Sequence, residues 1–198
     1  MIAYLTIGTL YAAYTPDWQV PDEPAHYNYV RHVVEEGRLP VLRYGDYNQT
    51  YLGELTSKGF PLDMPVDSLR YEDHQPPLYY LFAALVYRAT NGSLLALRLF
   101  SLVIGACVVV FAGLAVLSLF PSSVPVALMA TGFVAFLPQH VAMMAAVNND
   151  SLAELWVVLA LWLLFRAKGS DPPEGCRLYW VLGLVIGLAF LTKLTVYI

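Results

Sequence analysis

The chain has 198 residues, 58% of them hydrophobic and only 13% charged, with a net charge of −4 and a mean hydropathy of +0.57. Soluble domains lie nearer half apolar and a quarter charged, so this composition excludes an ordinary water-soluble domain, and an acidic chain without a basic stripe excludes a nucleic-acid partner. Residues Thr15 to Gln75 hold 11 acids and 5 bases, whereas the remainder holds 4 acids and 6 bases, so charge is gathered into loops.

In chain order, Met1–Tyr14 is apolar but shorter than the ~20 residues that cross hydrocarbon, and reads as a first span cut short. The apolar run from Leu178 is still going at Ile198, so the chain is expected to be the N-terminal part of a longer protein and inactive alone. Residues 15–93 form an expected extracytoplasmic loop. Within it Pro24 follows Asp22-Glu23, then come Tyr27, Val30, Val33, Val34 and Gly37, which predicts a helix over 23–36. Thr50–Met64, with Gly53, Gly59 and Pro61, reads as irregular. Residues 76–89 are apolar but short, bounded by Gln75 and Arg88. Tyr79, Tyr80 and Tyr87 suit a helix lying in the interface.

The segments 94–120, 124–147, 151–166 and 178–198 read as spans, the second interrupted by Pro138-Gln139-His140 and the third carrying Glu154. Alternating strands are absent, so the spans are helical. With 76–89 in the interface, the connector bearing Arg166, Lys168 and Arg177 falls on the cytoplasmic side and Asp150 joins the acidic loop outside. The expected fold class is therefore all-α integral membrane: a bundle of about five transmembrane helices with an outer loop carrying one or two juxtamembrane helices. Cys107 and Cys176 lie in unlike surroundings and offer no staple. Sequons begin at Asn48, Asn91 and Asn149, two of them at predicted helix ends.

Four polar clusters fall on the outer face. Asp22-Glu23-Pro24-Ala25-His26 puts Asp22 and His26 four apart on one helix face, though a plain helix cap explains the acids equally well. Tyr71-Glu72-Asp73-His74-Gln75 is held in place by Pro76-Pro77, which bar the helix from extending backward. With Asp22, Glu23 and His26, the pair Asp73 and His74 offers oxygen and imidazole ligands for a divalent metal, at no diagnostic spacing. Asn148-Asn149-Asp150 precedes Glu154, an acid at the start of a membrane segment, where ionisable groups cost about 3 kcal/mol and face a partner or cavity. Thr192-Lys193 offers a cation at headgroup depth, either snorkelling or awaiting a phosphate. Carboxylates serve removal of a proton from an acceptor hydroxyl. The set suits sugar transfer from a polyprenyl-phosphate carrier and ion-coupled transport alike.

The stretches VPDEPAHYNYVRHVVEEGRLPVL, HQPPLYYLFAAL, AAVNNDSLAELWVVLALWLLFRA and GLAFLTKLT, in that order, resemble the GT-C membrane glycosyltransferases, nearest the protein O-mannosyltransferases and the lipid A aminoarabinose transferases. The resemblance implies Asp22 and Glu23 as the loop acidic pair, with Asp22 the catalytic base. It implies Asp150 as the loop aspartate before the later span and Lys193 as the donor-phosphate contact. Gln75 stands directly before the prolines where the mannosyltransferases have a histidine, and His74 is one place earlier. The implied reaction moves a sugar from a polyprenyl-phosphate lipid to a protein, lipid or glycan acceptor, with inversion, at a multi-pass plasma (inner) membrane protein. The competing readings are a transporter or flippase component, and a non-catalytic protein of surface polysaccharide assembly. A transporter calls for paired polar groups at mid-bilayer, whereas 99–120 and 124–147 keep theirs near the ends.

Overall fold

The computed structural model describes residues 1–171 and 174–197, and among them every regular element is helical. The elements are α1 (Ile2–Tyr14), α2 (Glu23–Glu36), α3 (Gln49–Ser57), α4 (Leu78–Thr90), α5 (Leu94–Leu119), α6 (Val124–Phe136), α7 (Pro138–Met144), α8 (Asp150–Lys168) and α9 (Glu174–Phe190), closed by a 3-10 turn at Leu194–Tyr197. The central helix α5 packs against α1, α4, α6, α7 and α8. Beyond it α8 packs on α9, and α2 lies on α4.

By length and apolarity, α5 is the one described helix able to cross a bilayer unaided; α6 and α7 make a second if counted as one span bent by 62°. Its 26 residues rise roughly 39 Å at ~1.5 Å each, beyond the hydrocarbon thickness. The sequence expectation of about five spans is therefore not reached on these criteria. The reason lies in the ends: α8 carries Asp150, Glu154, Arg166 and Lys168, α9 opens on Glu174 and Arg177 and stops after 17 residues, and α1 has only 13. The break between α6 and α7 falls at Leu137, whose backbone is extended at φ −70°, ψ 113°. A residue before proline is pushed out of the helical region, and Pro138 then starts α7.

The segment between α1 and α5 is more ordered than its composition suggests. The span 50–64, expected to be irregular, contains α3, whose N-terminus is capped by the Asn48 side chain accepting from the Tyr51 N–H at 3.0 Å. Gly53 weakens such a helix by about 1 kcal/mol, which hides it from propensity, but Leu55 is fully buried and anchors it. For α2, Pro24 stands in the first turn and Gly37 closes the helix at φ +65°, a conformation glycine adopts without strain.

Two apolar clusters fix these pieces. One joins Tyr29, Val30 and Val33 of α2 to Tyr79, Tyr80 and Ala83 of α4 and to Leu97 and Ile104 of α5. In it the Tyr29 and Tyr80 rings stack in parallel at 3.6 Å. The other joins Tyr4 of α1 to Leu102 and Val109 of α5, with Ala135 and Val141.

Candidate active site

The loop that carries Asp22 is held by a buried ion pair next door. Both carboxylate oxygens of Glu23 accept from Arg98, at 2.8 and 2.6 Å, and Glu23 Oε1 also accepts from the Val147 N–H at 3.2 Å. Arg98 donates further to the carbonyls of Ala12, Thr15 and Pro16. One guanidinium therefore ties the end of α1, the start of α2, the first turns of α5 and the segment leading into α8. Glu23, expected beside Asp22 as a catalytic acid, has no exposed surface and does not reach the recess that Asp22 lines.

Asp22 itself takes the left-handed conformation, φ +63°, uncommon outside glycine but accessible to aspartate. It makes no side-chain cap to α2. Its carboxylate instead accepts from the Tyr71 hydroxyl at 2.9 Å and faces a recess of about 650 Å³ lined also by Leu42, Tyr47, Leu52, Glu72 and His74. Glu72 accepts from the Gln75 amide at 2.9 Å. Burial raises the Glu72 carboxyl above its ordinary value, Asp22 adds to the rise, and Gln75, His74 and Lys193 oppose it. Burial likewise raises the Tyr71 hydroxyl, with the Asp22 charge acting in the same sense.

On the other side, Lys193 Nζ lies 2.5 Å from Asp150 Oδ1. Both residues stand at the head of a groove of about 440 Å³ whose other walls are largely apolar, among them Val108, Phe133, Val157 and Leu161. His140 and Glu154 also line it, with Nε2 and Oε2 3.2 Å apart but out of hydrogen-bonding alignment. The approach of Lys193 is set by its neighbours. The Asn149 amide donates to the Thr192 carbonyl at 3.0 Å, the Trp156 indole N–H donates to the Thr192 hydroxyl at 3.0 Å, and that hydroxyl donates to Leu188 at 2.8 Å. Asn149 is wholly buried in this network.

His26 sits between the two sides. Its ring is buried against Tyr80, with Nδ1 2.8 Å from the Tyr80 hydroxyl. Burial pushes the imidazole down to about 3, and the positive charges of Lys193 and then His74 press the same way. Lys193 thus acts electrostatically on both His26 and Glu72, so the recess and the groove share one electrostatic environment. A hydrogen bond also joins the start of α4 to the residue after α9: the Leu78 N–H, first after Pro76-Pro77, donates to the Leu191 carbonyl at 2.9 Å.

Of the residues singled out from sequence, Asp22 and His74 share the recess, Asp150 and Lys193 share the groove, and His26 lies between. Asp73 is turned away and buried, paired with Arg70 at 2.8 Å. Tyr71 and Glu72, named from sequence only as part of the polar cluster before the double proline, enter the site, whereas Asp73 of the same cluster does not. Among the described residues no three His, Cys, Asp or Glu side chains converge as a metal-binding group. The donor set named from sequence is thus dispersed.

No curated protein and no solved structure matches the chain. A family model described as dolichyl-phosphate-mannose-protein mannosyltransferase matches residues 74–198, from the double-proline cluster through Lys193. The match covers more than half of the chain and takes in the residues that build the groove; the chain belongs to the dolichyl-phosphate-mannose-protein mannosyltransferase family, a family of membrane glycosyltransferases.

Proposed function

We propose that the chain is the donor- and acceptor-binding core of an enzyme that moves a sugar from a polyprenyl-phosphate lipid to an acceptor hydroxyl on the extracytoplasmic face. The observation that carries this reading is the Lys193–Asp150 pair at the head of an apolar groove, within electrostatic reach of the Asp22 recess. An apolar trough with a cation at one end matches a lipid chain ending in phosphate. The groove is walled by α5, α6 and α8, and Asp150 at the start of α8 holds that cation.

In this reading the acceptor enters beside Asp22. The Tyr71 hydroxyl occupies Asp22 Oδ1 and leaves Oδ2 to take the acceptor proton. The acceptor oxygen attacks the anomeric carbon, the bond from that carbon to the phosphate oxygen breaks, and the charge left on the lipid phosphate is held by Lys193. Asp150 keeps the ammonium aimed at the groove before the donor arrives. Glu72, held by the Gln75 amide, lines the acceptor side of the recess beside Asp22. Glu23 is a positioning residue that holds the Asp22 turn. Both recesses lie outside, with α4 along the interface and the later helices completing a multi-span bundle.

The test is Asp22→Asn in the whole protein, assayed for sugar transfer in native membranes. Transfer should fall by about two orders of magnitude or more, the usual worth of a general base, with lipid-donor affinity retained. Undiminished transfer would remove Asp22 from the mechanism.

A further inference from the structure

A second polar recess lies away from both the groove and the Asp22 pocket and shares no lining residue with either. It encloses about 170 Å³ between the outer face of α2 and the loop that follows it, lined by His32, Arg38, Val41, Arg43, Asp46 and Arg70. Three guanidinium groups converge on it against one lining carboxylate. That carboxylate, Asp46, already accepts from the Arg43 backbone N–H at 2.6 Å.

The cations are held to different degrees. Arg70 is fixed by Asp73 at 2.8 Å and also donates to His32 Nδ1 at 3.1 Å. Arg38 touches Glu36 only at 3.7 Å, with both side chains more than half exposed. The Arg43 side chain has no ion-pair partner among the described residues. Because His32 Nδ1 accepts from Arg70, the ring hydrogen sits on Nε2, which is buried and unpartnered. A buried N–H donor without an acceptor is costly to leave unpaired, and so points to something that fills the recess. Burial, then the nearby arginines, lower the His32 imidazole.

We propose that this recess is an oxyanion site that takes one phosphate group, borne by a lipid headgroup or free in solution. Guanidinium forks match a phosphate's oxygens in pairs, and the His32 Nε2–H supplies a further donor. The flanking loop presents Leu39, Val41, Leu42 and Tyr44 as exposed apolar side chains interleaved with Arg38 and Arg43. Such interleaving is what a segment resting on an anionic lipid surface displays. A headgroup caught there would pin the outer loop to the leaflet, away from the reacting centre.

The experiment titrates inorganic phosphate into the whole protein in a maltoside micelle free of phospholipid, read by phosphorus NMR line width. Saturable binding is expected in the wild type and in Lys193→Met, and at least tenfold weaker binding in Arg43→Gln. Should Arg43→Gln unfold, Arg38→Gln serves with the same expectation. Absent saturation in the wild type, equal affinity in the arginine variant, or loss of binding in Lys193→Met overturns the site, the last because the phosphate then sits in the groove. Repeating the titration in nanodiscs of phosphatidylcholine with and without phosphatidylglycerol assigns the source. Phosphate binding displaced by phosphatidylglycerol makes it a headgroup, and undisturbed binding makes it a soluble ligand; either result supports an anion site.

Discussion

Arg98 and Glu23, 75 positions apart, form a two-pronged ion pair with side chains only 2% and 0% exposed. Breaking such a pair from one side leaves an uncompensated buried charge, which costs about 3–5 kcal/mol. Arg98→Met should therefore destabilise strongly, and Arg98→Met with Glu23→Leu should recover the larger part. Recovery should be incomplete, because Arg98 also satisfies three carbonyls around the end of α1. Denaturant unfolding of the two single variants and the double variant in micelles gives the coupling.

Tyr71→Phe removes the hydrogen bond that occupies Asp22 Oδ1 while keeping the ring against Tyr47. A hydrogen bond to a charged group contributes about 1.5–3 kcal/mol, so kcat should drop by one to two orders of magnitude with KM for the lipid donor little changed. An equal rise in KM for the donor would instead mean that Tyr71 contacts the lipid phosphate.

Lys193→Met should weaken the lipid-phosphate donor far more than it weakens the acceptor, visible as a rise in donor KM. Asp150→Asn should act more mildly, since it loosens the ammonium rather than removing it. The two changes share one contact and should not be additive, with the double variant close to Lys193→Met alone.

His26 fixes a pH dependence of stability. Its folded value lies near 3, below the ordinary 6.5, so the neutral ring is the form the fold accepts. The stabilisation is full above 6.5 and is lost as pH falls from there toward 3, at up to about 1.4 kcal/mol per pH unit. Glu72 acts in the opposite sense: its raised carboxyl favours the fold below the ordinary carboxylate range, and that contribution fades as pH rises through its folded value. In Tm measured against pH, His26→Gln should flatten the acid limb and Glu72→Gln the limb just above the ordinary carboxylate range.

Topology gives a direct check. Single cysteines placed at Asp150 and Lys168, the two ends of α8, should label from opposite faces of sealed vesicles. Labelling of both from one face would remove α8 from the spans.

Much of this arrangement was legible in residue order. Pro24 and Gly37 bracket α2 because each suits one helix end, and Pro76-Pro77 set the start of α4. Other features lie beyond such reading. Asp22 and Glu23 are neighbours, yet a left-handed turn at Asp22 sends one carboxylate to the recess and the other into the protein, a divergence with no counterpart in spacing. Arg98 at the head of an apolar run reads as a flanking charge until Glu23 closes on it. The helix α3 is masked by Gly53, and Tyr71 and Glu72 look like any polar turn until Asp22 faces them. Among the described helices only α5, or α5 with the bent pair α6 and α7, is long and apolar enough to cross a bilayer, because charged residues stand at the ends of α8 and α9.

The bond from the Leu78 N–H to the Leu191 carbonyl orders assembly in time. During synthesis the Asp22 turn, the Glu72 carboxyl and the groove walls up to α8 all leave the ribosome before residue 191. A nascent chain halted there has Asp22 and the groove walls but neither the Lys193 ammonium nor the Leu191 carbonyl that accepts from α4. On the proposed reading, the lipid phosphate gains its cation only once α9 has docked.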